Sequence, residues 1–125
     1  MLHDSNILIY AAEPGATRFD FSLQNVDACM ASVTRIEVLG FPGFAKLDAL
    51  RQTRLTELLE SLVELPLDKA IADRAIVLRQ QRKMQLADAI IAATALEYDV
   101  LLVTRNVEDF KHVAGLILIN PFDLP

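Results

Sequence analysis

The sequence predicts an α/β layered domain built on parallel strands. Short apolar runs alternate with longer segments of helical period. Two of the runs, Val100–Thr104 (VLLVT) and Leu116–Ile119 (LILI), are apolar almost throughout, as in strands buried on both faces. No internal repeat, low-complexity tract or Gly/Ser linker divides the 125 residues. Strands that alternate with helices pair in parallel through crossover connections. A chain of this length buries about two-thirds of its surface, enough for a core without staples. Residues 1–125 are therefore read as a single domain.

In chain order, Met1–His3 is a very short strand and Asn6–Ala12 a helix. Asp27–Val33 (DACMASV) suits a strand, and Thr34–Leu39 opens the next helix. Gly40-Phe-Pro-Gly43 is the clearest turn. Leucines at 47, 50, 55, 58, 59 and 62 give Leu47–Leu62 a helical spacing, with Phe41 and Phe44 flanking the turn before it. Val63–Leu65 is a short strand closed by Pro66. Asp68–Lys83 is helical, with Asp68 as N-cap and Ile71, Ala75 and Leu78 facing inward. Leu86–Tyr98, rich in Ala and Ile, is a second strong helix. Asn106–Lys111 makes about one further turn, and Asn120-Pro121 ends the last strand.

Composition removes several function classes. One cysteine, Cys29, excludes an intramolecular disulfide framework, and with two histidines it leaves too few ligands for a structural zinc site. Cys29 reads as an inert thiol in an apolar strand. No apolar run nears the roughly 20 residues of a membrane span, and Met1-Leu2-His3-Asp4 lacks the features of a signal peptide. A soluble, cytoplasmic protein is expected. The net charge of −5 is awkward for a bare nucleic-acid binder, because phosphate affinity comes mostly from Lys and Arg. Acids gathered in a pocket and offset by a bound cation would resolve that.

In open α/β sheets the site lies beyond the carboxyl ends of the strands. Four acids from separate segments fall there: Asp4 after the first strand, Glu37 in the first turn after the second, Asp88 at the start of an apolar helix, and Asp109 after VLLVT, near Asn106. Gathered together they would raise one another's pKa, and a hard divalent cation removes that penalty; all-oxygen ligands favour Mg²⁺ or Mn²⁺. Structural roles compete for three of them. Asp4 suits a helix N-cap, Thr34-x-x-Glu37 has capping-box spacing, and Asn106-x-x-Asp109 pairs an N-cap with an acid. Asp88, among Leu86, Ala87, Ala89, Ile90 and Ile91, is hardest to explain structurally, because a buried acid needs a partner.

Four blocks, Asp4-Ser-Asn-Ile-Leu-Ile-Tyr10, Ser32-Val-Thr-Arg-Ile-Glu-Val-Leu-Gly40, Leu86-Ala-Asp-Ala-Ile-Ile-Ala-Ala-Thr-Ala95 and Leu102-Val-Thr-Arg-Asn-Val-Glu-Asp-Phe110, resemble the signature blocks of PIN domains, most closely the VapC-type toxins of bacterial toxin–antitoxin pairs. The resemblance runs from Asp4 to Pro121. It implies a three-layer fold with a central parallel sheet of about five strands flanked by helices, and a metal-dependent endoribonuclease activity. It assigns the catalytic and metal-binding acids to Asp4, Glu37, Asp88 and Asp109, with Ser5, Asn6, Thr104 and Asn106 as hydrogen-bonding neighbours. Asp4 and Asp88 would hold Mg²⁺ (or Mn²⁺) with Asp109, directly or through water, while Glu37 orients the attacking water or helps to hold a second ion. Products with a 3′-hydroxyl and a 5′-phosphate would follow.

The chain departs from the family pattern in three places. The first strand is clipped, with His3 where an aliphatic residue is usual. Ser5 replaces a threonine, and Asn106 stands where some members carry Asp, which weakens a second metal site. The resemblance also implies RNA as substrate, a VapB-like antitoxin as partner and a homodimer.

Arg35 and Arg105 are candidates to meet RNA, or to pair with the acids when metal is absent. The cluster Arg79-Gln-Gln-Arg-Lys83 suits a solvated helix C-terminus. His3 and His112 have no nucleophile beside them and are read as surface or packing residues. Two rival functions are weighed. A catalytically silent PIN scaffold is opposed by the acids present in all four blocks. A phosphoryl-receiver domain normally has an adjacent acid pair after the first strand, an Asp after a middle strand and a Lys after the last, which this sequence lacks.

Overall fold

A computed structural model describes residues 1–124. Five short strands form one parallel sheet: β1 (Leu2–His3), β2 (Cys29–Ala31), β3 (Val63–Leu65), β4 (Leu102–Val103) and β5 (Leu118–Ile119), in the order β3-β2-β1-β4-β5. The chain leaves β1 toward one edge, then returns to add β4 and β5 on the other side. The order therefore reverses between β1 and β4, and a crevice forms there at the carboxyl ends of the strands. Receiver domains run 2-1-3-4-5, so this order excludes that rival.

The helices are α1 (Ser5–Ala11), α2 (Asp20–Leu23), α3 (Ser32–Gly40), α4 (Ala49–Glu60), α5 (Lys69–Gln81), α6 (Leu86–Glu97) and α7 (Val107–Phe110). Alternation along the strands splits the core into two faces. Cys29 and Ala31 pack with Leu2, Leu102, Ile71, Ala75 and the wall of α6. Ala28 and Met30 point the other way, to Leu8, Val38, Leu55 and Leu59. Helix α6 is buried from Ala89 to Ala95, and its alanines let neighbouring backbones approach closely. Asp99, at φ 52, supplies the left-handed residue that turns the chain from α6 toward β4. No helix of the described residues is long and apolar enough to cross a membrane.

The helices expected at Leu47–Leu62, Asp68–Lys83 and Leu86–Tyr98 are present with trimmed ends. Asp68 caps α5, its carboxylate accepting from the Ile71 N–H at 2.9 Å. Strand β3 has its expected bounds, and the other four are shorter than expected. Ser32 and Val33 already belong to α3, and only Leu102 and Val103 of VLLVT enter the ladder. Helix α2 and the 3-10 turns Phe44–Lys46 and Pro121–Asp123 were not expected.

His3 is fully buried, which corrects the surface alternative. Its Nδ1 lies 3.1 Å from the Cys29 carbonyl and its Nε2 2.9 Å from Ser22 Oγ on α2. A carbonyl only accepts, so Nδ1 carries the proton. Burial pushes the imidazole pKa down to about 4, so the ring is neutral at physiological pH.

Candidate active site

The site forms where the first and fourth strands end side by side. His3 pairs with Val103 in the ladder, which sets Asp4 and Thr104 next to each other. The Asp4 N–H donates to the Val103 carbonyl at 3.0 Å. The Thr104 hydroxyl donates to Asp4 Oδ2 at 2.8 Å, a bond that spans 100 residues of sequence. Thr104 Oγ1 itself accepts the Asn106 N–H at 3.0 Å, which directs its own hydrogen toward Asp4. Asp4 Oδ1 accepts the Ser5 N–H at 2.8 Å. Asp4 is thus both the N-cap of α1 and a buried carboxylate oriented by β4, so the capping role and the site role coexist. Burial, ahead of the like charge of Asp109, raises its pKa despite those hydrogen bonds.

Glu37 joins through Ser5, whose hydroxyl donates to Glu37 Oε1 at 3.1 Å. Helix α3 starts at Ser32, which corrects two expectations. Glu37 lies in the second helical turn, not the first. Thr34 is interior and buried with its hydroxyl unpartnered, so no capping box forms. Partial desolvation raises the Glu37 pKa, and Asp4 adds to the effect.

Asp88 is half-buried in the first turn of α6. Desolvation, then the like charges of Asp4, Asp109 and Glu37, push its pKa up to about 6. Asp109 is exposed on α7, which the wholly buried Phe110 pins to the core. Asn106 is the N-cap residue of α7, as the N-cap alternative expects, with its carbonyl accepting the Asp109 N–H at 3.0 Å, but its side chain makes no capping hydrogen bond. Asn106 and Asp109 line a hollow of about 470 Å³ together with Arg105. Asn6 is exposed on α1, two residues from Asp4.

All four acids therefore share one electrostatic neighbourhood. Among the described residues none of them ion-pairs with Lys, Arg or His. Nor are three of them gathered tightly enough to hold an ion as they stand. The proposed arginine contacts with the acids are absent. Arg35 Nε donates to Glu64 at 2.5 Å, and Glu64 also accepts from Ser32. Arg105 donates to the Tyr10 hydroxyl at 2.8 Å.

The profile of the PIN domain matches residues 1–116.

The chain belongs to the PIN domain family.

Among curated PIN relatives, it is 28% identical over 120 residues to the tRNA(fMet)-specific endonuclease VapC of Shigella flexneri, covering 90% of this chain and 91% of that one. It is 31% identical, with a TM-score of 0.76 and 96% of each chain covered, to a structure in a toxin–antitoxin complex from Klebsiella pneumoniae. A chain of VapBC2 from Rickettsia felis, bound to a DNA fragment from its promoter, superposes with a TM-score of 0.78 over 95% of this chain and 96% of that one. At 23% identity that last likeness concerns the fold alone. PIN nucleases of the VapC type are generally dependent on divalent metal, and carboxylate oxygens are of the kind that a hard cation takes.

Proposed function

We propose that this PIN domain is a VapC-type toxin, an endoribonuclease that hydrolyses RNA phosphodiester bonds with Mg²⁺ or Mn²⁺ and is restrained by a VapB-like antitoxin. The observation that carries the reading is a set of four acids with no cationic partner. Asp4 is buried, and the Asp88 pKa is pushed up to about 6 by desolvation and then by the like charges of the other three. A fold that retains such repulsion has a use for a counter-charge. The names of the similar Shigella flexneri and Klebsiella pneumoniae proteins supply the reaction class and the antitoxin partner.

Asp4, Asp88 and Asp109 would hold the ion, with Glu37 at the rim. The chemistry supplied there by a bound divalent cation would be Lewis-acid activation of the scissile phosphate and of a water. The protein's own residues prepare that chemistry. Thr104 and the Ser5 N–H fix the Asp4 carboxylate on both oxygens. Ser5 links Asp4 to Glu37 through its hydroxyl, and Glu37 would orient the attacking water. The positive end of α6 steadies the Asp88 charge.

RNA cleavage with Mn²⁺, mapped on total RNA and on transfer RNA, tests the reading. Wild type is expected to cut, while Asp88→Asn and wild type in excess chelator are not. Full activity in either of the last two would remove the metal mechanism.

A further inference from the structure

Beside the acids lies a second cluster that the reaction above does not use. Arg105 follows Thr104 directly, yet among the described residues it pairs with none of the carboxylates. Its guanidinium sits 4.5 Å from the Phe122 ring centre and 5.5 Å from that of Tyr10, to whose hydroxyl it donates. Arg18 approaches the same Phe122 ring at 5.1 Å. Tyr10 and Phe122 meet edge to face at 5.3 Å. Phe122 is held in place by its own N–H, which donates to Asn120 Oδ1 at 3.0 Å.

Two like charges share one aromatic ring, although carboxylates are near. Glu108, Asp109 and Asp123 line the same hollow as Arg105, and Glu13 lines a second hollow of about 380 Å³ with Arg18, Tyr10 and Phe122. Glu13 is committed to Arg51 and Glu108 to Lys111. Among the described residues neither Arg105 nor Arg18 forms an ion pair. Stacking fixes a guanidinium plane and leaves its N–H edge for an outside acceptor. Tyr10, itself 39% exposed, offers ring surface on the same helix that Asp4 caps, six residues or about 9 Å along.

We propose that Arg105, Arg18, Tyr10 and Phe122 form a platform that receives the RNA strand next to the cleavage site, with the guanidiniums on backbone phosphates and Tyr10 against an unpaired base. The proposal rests on the nuclease reading above and adds the missing half of its electrostatics. Carboxylates repel a polyanion, so a neighbouring pair of cations is what brings it to them. Single-stranded RNA matches both parts of the platform, since stacking and phosphate contacts together are how such strands are held without base readout.

The test is binding of a fluorescent single-stranded RNA to the full-length protein carrying Asp88→Asn, with Mg²⁺ present, across a salt series. Adding Arg105→Gln and Arg18→Gln should weaken binding and flatten the log–log salt slope by about 1.4, for two lost phosphate contacts. Tyr10→Leu should weaken it about fivefold or more with the slope kept, and Tyr10→Phe should bind like the parent. Arg74→Gln, which breaks the pair with Glu97 at the far end of α6, controls for loss of charge in general. Unchanged affinity and slope in the double variant, while the wild-type protein cuts RNA, would sink the platform and leave the nuclease standing. Loss of antitoxin binding with RNA binding intact would reassign the surface to a protein. Wild-type protein that cuts no RNA in Mn²⁺ would bring down the underlying reading as well.

Discussion

Asp88→Asn should stabilise this protein while destroying its activity. The Asp88 carboxyl is raised from 3.8 to about 6 by burial and by three like charges. Two units correspond to about 3 kcal/mol, and the partial exposure of the group reduces that to about 1–2 kcal/mol. The sign follows from linkage. Below pH 3.8 the group is neutral folded and unfolded. Between 3.8 and 6 only the folded state keeps the proton, and above about 6 the folded state carries the full repulsion. Stability from this group is therefore present in acid and lost as pH rises through 6. Thermal unfolding in chelator at pH 7.5 should place the variant about 3–8 °C above wild type, and the gap should close toward pH 4. Adding Mn²⁺ should reverse the order, because only wild type gains binding energy fully. An Asp88→Asn protein less stable than wild type in chelator, with a gap that ignores pH, would show that neither burial nor like charges disfavour the Asp88 carboxylate.

Other perturbations separate the remaining parts. Thr104→Val removes the donor to buried Asp4 and the acceptor for the Asn106 N–H; it should cost about 1.5–3 kcal/mol in denaturant and raise the Mn²⁺ concentration needed for cleavage, and Thr104→Ser should restore both. His3, depressed from 6.5 to about 4, lends stability that is present above pH 6.5 and lost as pH falls toward 4, so His3→Gln should lose less on acidification than wild type; an identical acid profile would refute a buried neutral ring. Arg35→Gln breaks only a surface pair with Glu64, so unfolding should move by less than about 1 kcal/mol with cleavage unchanged, and a large loss of activity would put Arg35 on the RNA after all.

Much of the fold was legible because its longest elements carry their own pattern. The leucine spacing of α4 and the Ala/Ile run of α6 can bury themselves only as helices against a sheet. What misled was the extent of each strand. Cys29–Ala31 and Leu102–Val103 are covered on both faces, so the flanking Val33 and Val100 look equally apolar although one is coiled into α3 and the other precedes the ladder. Helix α2 has four residues, too few for a period to register in a sequence. Its purpose, to cover His3 with Ser22, depends on a contact 19 residues away.

The acids were legible for a topological reason. In a parallel sheet every strand must end at the same rim, so residues just beyond strands converge whatever their separation in sequence. That logic finds Asp4 and Asp109 directly, and it places Asp88 once α6 is known to start at the rim. It says nothing about cations, whose long side chains choose among partners on neighbouring elements. Arg35 could reach a site acid or Glu64, and Glu64 wins because β3 lies beside β2 and because Ser32 already orients its carboxylate. Arg105 could reach Asp109 or the rings, and Tyr10 adds a hydrogen bond to the stacking. Both outcomes leave the acids without an internal counter-charge. Had either arginine paired with Asp4 or Asp88, the repulsion would have been relieved inside the fold, and the case for an external ion would have lost its physical basis.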